Sequence, residues 1–472
     1  MANSRKSNSD GRPPSGKEGG GELQAHVASA LLPAVPAGSS IVLGLSGGVD
    51  SVVLLHLLHR LSHIYSWRLN ALHVHHGISP HADAWATFCA DLCMRYGVPL
   101  QVERVDIAPL REHGIEAAAR KLRHAAFDRQ QADFVAFAHH QDDQAETLLL
   151  QLLRGAGVRG AAAMPRAQPR INAPVLLRPL LDVPRRELLE YARRHTLQWV
   201  EDESNADDRY PRNFLRQRVL PLLERRFPAY RETLARGTRH FAEASELLDQ
   251  LAQQDAPDLL PSATGSEGGG EGEPTLEIAR LRQLSQPRAK NLLRYFLHCR
   301  GAPMPQAVQL DEMLRQLCGA RTDGAVCVEF GGWQLRRYQG RAYAMPAPKE
   351  AASGLTVVWS GETQLEWPSL GSTVFFSRAA GEGISLERLS SAPVTLRLRG
   401  GGEALRPGRA ASTRSLKKLL QQHHIPPWRR ERLPLLYCGE TLASVVGVAV
   451  AADFQAAPGE AGLVVHCGLP GE

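Results

Sequence analysis

The chain has 472 residues, 43% hydrophobic and 22% charged, with a net charge of +6. That length suggests about three domains with real cores, and no apolar run is long enough for a membrane-spanning helix. Seven cysteines, at 89, 93, 299, 318, 327, 438 and 467, are odd in number and dispersed, which argues against a disulfide scaffold and fits a reducing, cytoplasmic setting.

Residues 1–23 are rich in Ser, Gly and Pro, carry no apolar segment of a secretory signal, and read as a disordered tail. "IVLGL" (41–45) predicts a buried parallel strand, followed by a glycine turn and the helix "DSVVLLHLLHRLSHIY". "LNALHVHHG" predicts a second strand, "DAWATFCADLCMRYG" a helix ending at Gly97, and "PLQVERVDI" a third strand. "IEAAARKLRHAAFDRQQ" is a helix, "DFVAFAHH" a fourth strand, and "DDQAETLLLQLLRG" a helix closed by Gly155. Alternation at these lengths predicts a doubly wound α/β fold whose parallel sheet binds ligands beyond the strands' carboxyl ends. A helix is expected after Pro184 and a long helical stretch over roughly 214–254.

A Gly/Ser/Glu linker at 255–274 is the clearest boundary. The expected organisation is a nucleotide-binding domain over 24–220, a helical connection over 221–254, a small mostly helical unit with a hairpin over 275–345, a connection over 346–392, and a small α+β unit over 393–470.

"SGGVDS" (46–51) has the elements of an anion cradle. Gly47 and Gly48 permit positive φ and let backbone N–H groups approach an anion. Ser46 and Ser51 add hydroxyl donors, and the helix N-terminus beginning near Val49 adds partial positive charge. The lysine that neutralises the β/γ-phosphates in the common ATP loop is missing, and Asp50 stands in the turn instead. A carboxylate beside phosphates makes sense if it holds Mg²⁺. That suits a pyrophosphate leaving group and chemistry at the α-phosphate.

The chain resembles the PP-loop ATP pyrophosphatases at "SGGVDS". Within them it resembles the tRNA(Ile)-lysidine synthetases at "HVHHGIS", "EAAARKLRHAAF", "AHHQDDQAETLLLQLLRGAGVRGAAAM", "RPLLD", "WVEDESNADDRYPRNFLRQRVLPLL", "QPRAKNLLRYFLHCRGAPMP" and "RSLKKLLQQHHIPPWRRERLPLLYCGETLASVVGV". These occur in order over roughly 40–468. The resemblance implies an ATP- and Mg²⁺-dependent ligase that joins L-lysine to C2 of the wobble cytidine of tRNA(Ile) with a CAU anticodon, through an adenylated cytidine. Units 275–345 and 393–470 would bind the tRNA, and a homodimer is common in the group.

Carried over by position, Asp143 and Glu146 face lysine and Mg²⁺, Asp50 and Glu146 hold the metal, His139 lies near the nucleotide, and Arg120 and Arg212 are active-site arginines. From spacing alone, Asp143 and Glu146 also read as a capping box, and whether Asp142 or Asp143 positions the lysine amine stays open. His73, His75 and His76 read as the edge of an adenine pocket or as strand-end packing rather than as a zinc site. Arg216 and Arg218 lie in an acid-free basic decapeptide. With Arg414, Lys417, Lys418, Arg429, Arg430 and an interleaved Trp428, they suit phosphate contacts and base stacking. The chain's bias to 48 arginines over seven lysines also suits bidentate phosphate binding. A tRNA thiolase on the same loop is the alternative; it would need a reactive cysteine pair, and the catalytic domain offers only Cys89 and Cys93, four residues apart.

Overall fold

The computed structural model describes residues 19–77, 79–106, 115–170, 172–203, 207–259, 274–321, 326–347, 356–367, 370, 372–408 and 411–468. Residues 1–18 of the expected tail, most of the linker (260–273) and Arg409 lie outside them. The chain divides into two units, residues 1–250 and 251–472.

The first unit opens with α1 (Gly19–Leu31), so residues 19–23, read from composition as tail, are the start of a helix whose Leu23, Val27 and Leu31 are buried. Then follow β1 (Ser40–Gly44), α2 (Val49–Tyr65), β2 (Arg68–His75), α3 (Ala82–Tyr96), β3 (Leu100–Arg104), α4 (Ile115–Asp128), β4 (Phe134–Ala136), α5 (Gln141–Leu153), α6 (Val158–Ala161), β5 (Ala167–Arg170), β6 (Ala173–Leu177) and α7 (Arg185–Arg194). The sheet runs β3-β2-β1-β4-β6-β5. All its pairings are parallel except the β5–β6 edge.

Strand alternation explains β1: Ile41 and Leu43 point into one core with the apolar face of α2, while Val42 points into another with Phe127 and Phe137. A strand buried on both faces reads as a continuous apolar run, as "IVL" does. α2 is apolar nearly all round because it lies in the core, with Val52 through Leu55, Leu57, Leu58 and Leu61 all buried. β1 pairs with β2 on one side and β4 on the other, so the winding reverses between β1 and β4. Ligands of such sheets bind in the crevice at that reversal.

Two features of this unit were not expected from sequence. The β5–β6 hairpin extends the sheet beyond β4, and the long helical stretch is broken into α8 (Pro211–Phe214), a π-turn (Leu215–Val219), α9 (Leu220–Arg226) and α10 (Tyr230–Asp255). The second break follows Phe227, where Pro228 removes an N–H donor.

In the second unit, β7 (Leu276–Glu277), α11 (Ile278–Gln283), α12 (Gln286–Cys299), α13 (Ala307–Gly319), β8 (Val326–Phe330), β9 (Trp333–Tyr338) and β10 (Arg341–Pro346) form three helices on an antiparallel sheet ordered β7-β10-β9-β8. Leu292, Phe296, Met313 and Leu335 fill the space between the layers. After them come β11 (Val357–Trp359), β12 (Gln364–Trp367), β13 (Ser372–Ala380), β14 (Ile384–Ser385), α14 (Leu386–Leu389), β15 (Val394–Arg397), β16 (Ala404–Leu405), β17 (Arg414–Ser415), α15 (Leu416–Gln422), α16 (Pro427–Arg430), β18 (Leu435–Cys438), β19 (Thr441–Val445), β20 (Ala449–Val450) and β21 (Ala461–Gly468). Two sheets, β11-β15-β18-β19-β20 and β12-β13-β21-β14, enclose a core around Trp367, Val374, Leu396 and Leu436.

Candidate active site

The phosphate loop leaves β1 at Gly44 and enters α2 at Val49. Gly47 has φ +87°, and a Cβ there would stand 2.9 Å from Val200 Cγ2 and 3.3 Å from Cys89 Sγ. Only glycine meets both demands without strain. Gly48 differs from expectation: its φ is −70°, so it is not glycine for reasons of handedness. A Cβ there would meet nothing closer than Ser46 Oγ at 3.6 Å, an ordinary contact, so sterics do not require glycine at this position. Ser51 Oγ donates to the Gly48 carbonyl at 2.9 Å and lies 3.2 Å from Ser46 Oγ, which ties the turn to the first turn of α2. Val49 and Ser51 are buried.

Beside this loop, β4 ends at Ala136 and the chain reaches His139 and His140 before α5. The capping box there is not the Asp143–Glu146 pair suggested by spacing. His140 is the N-cap: its Nδ1 accepts from the Asp143 N–H at 3.4 Å, and its own N–H donates to Asp143 Oδ2 at 3.0 Å. The imidazole Nε2 lies 3.4 Å from Asp143 Oδ2 and 3.6 Å from Asp50 Oδ2, and Nδ1 lies 3.8 Å from Asp142 Oδ2. Burial opposes the charged ring, but Asp143, Asp50 and Asp142 outweigh it and raise His140 above the ordinary histidine value. His139 behaves oppositely. Burial pushes it down to about 3, and its ring is neutral, set edge-on to Phe137.

Glu146, one helical turn beyond Asp143, is only 1% exposed. It survives burial through charged hydrogen bonds. Arg212 Nε reaches Glu146 Oε2 at 2.7 Å, and Arg216 Nε reaches Oε1 at 2.7 Å. Arg212 Nη2 also binds Asp143 Oδ1 at 2.8 Å. Pro211 starts α8 with the fixed φ of a first helical position, and the π-turn after it carries Arg216. The two guanidiniums, four residues apart, thus grip one carboxylate from both sides. Asp142 is held separately, by Arg231 Nε at 2.5 Å and the Arg185 N–H at 3.0 Å. Burial works against ionisation of Asp143, yet His140 and Arg212 hold its carboxyl well below the usual range. It is therefore an anion and a poor store for a proton.

The structure thus brings together Ser46–Ser51, Asp50, His139, Asp143, Glu146 and Arg212. Arg216, expected among the tRNA contacts, belongs to this cluster. Arg218 pairs with Asp208 at 2.9 Å on the surface. Arg120 is exposed on α4; burial lowers His124 and Arg178, and the Arg120 charge adds to both shifts. Sequence reasoning passed over His140, Arg185 and Arg231. For His140 the available signal was its place, one residue after a strand end and three before an aspartate, which is an N-cap position.

Glu146 and Asp50 are the two carboxylates expected to hold Mg²⁺. Both oxygens of Glu146 are taken by guanidiniums, so as placed it offers no coordination position, contrary to the expectation from the family. Asp50 does: its Oδ1 is buried without a hydrogen-bond partner. One carboxylate plus substrate phosphates and water is an ordinary Mg²⁺ set. Of the "HVHHG" histidines, His73 Nδ1 is hydrogen-bonded to the Leu45 carbonyl at 2.8 Å and His75 Nε2 lies 3.2 Å from Asp83. Among the described residues, no group of three or more His, Cys, Asp and Glu could hold a metal ion.

In the second unit, Lys417 and Lys418 stand exposed on α15 while Leu416, Leu419 and Leu420 bury its other face. Arg429 is also exposed, and Arg414 bonds Gln422 at 2.7 Å. Trp428 and Arg430 are placed otherwise than expected. The Trp428 ring packs edge-on to Tyr343 and Tyr338, at centroid distances of 5.3 and 6.0 Å, with Arg336 over it at 5.4 Å. Arg430 is buried and donates to the Ile425 carbonyl at 2.6 Å and to Tyr338 Oη at 3.0 Å. These side chains join α16 to β9 and β10; they are not a stacking platform. Trp428→Ala is expected to cost about 2–4 kcal/mol of stability, measured by urea unfolding followed by circular dichroism. An unchanged midpoint with lost tRNA affinity would restore the stacking role.

A parallel sheet with an anion cradle at its reversal point is the arrangement of a PP-loop ATP-binding enzyme, and a family model described as the PP-loop domain matches residues 22–223. Models described as the TilS substrate binding domain and the TilS substrate C-terminal domain match 276–343 and 394–467. The chain is 44% identical to a tRNA(Ile)-lysidine synthase of Nitrosomonas europaea over 91% of its own length and 92% of the relative's. It is 42% identical to that of an Azoarcus species (91% and 92%) and 37% identical to that of Coxiella burnetii (89% and 91%). The chain belongs to the tRNA(Ile)-lysidine synthase family. It is an ATP-dependent, tRNA-modifying enzyme, and among its described residues no helix is long and apolar enough to cross a membrane.

Proposed function

We propose that the enzyme ligates L-lysine to C2 of the wobble cytidine of a tRNA(Ile) with a CAU anticodon, forming lysidine and releasing AMP and pyrophosphate. The observation that carries this reading is the direct link between a lysine-free phosphate loop and a buried carboxylate pair, through His140 between Asp50 and Asp143. The cytidine O2 attacks the α-phosphate of ATP, and the pyrophosphate is received by the loop N–H groups, the exposed Ser46 hydroxyl and the N-terminus of α2, while Ser51 holds the turn through the Gly48 carbonyl. Asp50, whose Oδ1 has no hydrogen-bond partner, would hold a Mg²⁺ ion, which when bound would supply charge neutralisation for the leaving pyrophosphate.

The lysine amine then displaces AMP. Asp143, kept ionised by His140 and Arg212, is a charge partner that orients the lysine ammonium; the ammonium gives its proton to water, the neutral amine bonds to C2, and the C2–O2 bond to the adenylyl group breaks as AMP leaves. Each Asp143 carboxylate oxygen has lone pairs beyond those already used. Arg212 and Arg216 fix the two carboxylates and set the charge balance of the pocket. The exposed basic residues Lys417, Lys418 and Arg429, with the half-buried Arg414, suit contacts to tRNA phosphates.

The thiolase alternative asks Cys89 and Cys93 to react. Both are buried, and burial pushes their thiols up to about 12 and about 11, so they are protonated and inert near neutrality. The test is incubation with ATP, radiolabelled lysine and total bacterial tRNA. Label in an isoleucine tRNA is expected; label from a sulfur donor or another amino acid in its place would overturn the assignment.

A further inference from the structure

We infer that His140 is a positioning residue that sets the Asp50 carboxylate from across the sheet reversal. This rests on the reading in which Asp50 faces the polyphosphate and its cation.

The argument is one of tautomer and reach. Capping commits Nδ1: it receives the Asp143 N–H at 3.4 Å and so acts as the acceptor. With Nδ1 accepting, the neutral ring carries its proton on Nε2, and the protonated ring carries one there as well. Nε2 lies within ion-pair distance of Asp50 Oδ2, at 3.6 Å, and of Asp143 Oδ2, at 3.4 Å. The ring itself has no freedom to turn away, because His140 is 2% exposed and its backbone N–H is tied to Asp143 Oδ2 at 3.0 Å.

Asp50 is thereby approached on one oxygen by the Nε2–H. Its other oxygen, Oδ1, is buried and unbonded, with Arg185 Nε 3.9 Å away. The histidine stands within ion-pair distance of Oδ2, and Oδ1 is left for a cation. An N-cap alone does not need an imidazole: Ser, Asn and Asp cap better. A histidine here supplies what those residues lack, a second donor about one ring-width beyond the capping atom. Loss of such an outer partner of a metal-ligating carboxylate ordinarily costs 10- to 100-fold in metal affinity or activity.

The discriminating variant is His140→Asn, which keeps a capping acceptor and removes the far donor. Binding of Mn²⁺ to the enzyme with α,β-methylene-ATP, read by electron spin resonance of free Mn²⁺, is expected to weaken about 10- to 100-fold. The apoenzyme is expected to melt near the wild type. Mn²⁺ affinity equal to wild type overturns the inference and leaves His140 a cap only. A second measurement needs no variant: a long-range ¹H–¹⁵N spectrum of the wild type is expected to show a proton on His140 Nε2, and a bare Nε2 overturns the inference even if His140→Asn fails to fold. Lysine ligation by the wild type tests the functional reading separately. A ligating enzyme whose His140→Asn variant binds Mn²⁺ normally sinks only the inference; a non-ligating enzyme whose variant loses Mn²⁺ sinks only the reading.

Discussion

Replacing Glu146 by alanine is expected to lower the stability of the first unit by about 3 kcal/mol and to abolish lysine transfer. The carboxylate is 1% exposed and holds two guanidiniums, each at 2.7 Å. Its removal leaves Arg212 and Arg216 facing each other with only Asp143 between them, and an uncompensated buried charge costs more than the pair contributed. The arginine side chains are 21% and 34% exposed, so water relieves part of that cost and the expected figure sits at the low end of the range for buried pairs. Glu146→Gln separates the two effects. The amide fills the same space and accepts from one guanidinium, but turns a donor towards the other, so about 1–2 kcal/mol is lost while transfer still fails. Urea unfolding of the three proteins checks the first effect and labelled-lysine incorporation the second. A Glu146→Ala protein with the wild-type midpoint would contradict the described clamp.

Acidification is expected to be the second large effect. Burial lowers His56, His76 and His124 to about 4 and His139 to about 3, with neighbouring arginines and histidines adding to the shift, while the unfolded chain titrates near 6.5. Between roughly pH 4 and 6.5 the unfolded state therefore binds more protons than the native one, so stability rises with pH across that window and falls as acid is added. Each histidine contributes at most about 1.4 kcal/mol per pH unit. The rings are only partly buried, and screening reduces this, so a loss of about 2–4 kcal/mol is expected from pH 7 to 5. His140, with its raised value, works the other way: its contribution is present below 6.5 and is lost as pH rises through its folded value. Hydrogen exchange of the β1 and β4 amides during urea unfolding, repeated across pH, isolates the first unit. A flat dependence from pH 7 to 5 would contradict it, and His124→Gln should flatten it in part.

The sequence made the first unit legible where pattern and burial agree. "IVLGL" and "DFVAF" are apolar because their strands are covered on both faces, and "SGGVDS" is recognisable because Gly47 needs a positive φ that other residues resist. The β5–β6 hairpin was not legible: "AQPR" is exposed and lacks alternation, and it is a strand only because the β6 edge supplies a partner. Charge was legible as charge but not as contact. "RYPRNFLRQR" contains no acid, so its arginines looked free for phosphate, yet Arg212 and Arg216 are committed to Glu146 and Asp143, about 70 residues earlier in the chain. Trp428 among arginines looked like a base-stacking face, and the aromatic partners that pack against it, Tyr338 and Tyr343, come from a different domain match. Spacing cannot show which distant side chain a polar group has already found.

The central claim is that a cradle without lysine receives pyrophosphate while a tRNA base takes AMP. It is tested most directly by following ATP labelled at the α-phosphate in the presence of tRNA, with and without lysine. The account predicts labelled tRNA when lysine is withheld, labelled AMP and unlabelled pyrophosphate when lysine is added, and neither with Asp50→Asn. Labelled ADP and free phosphate as the products would contradict it.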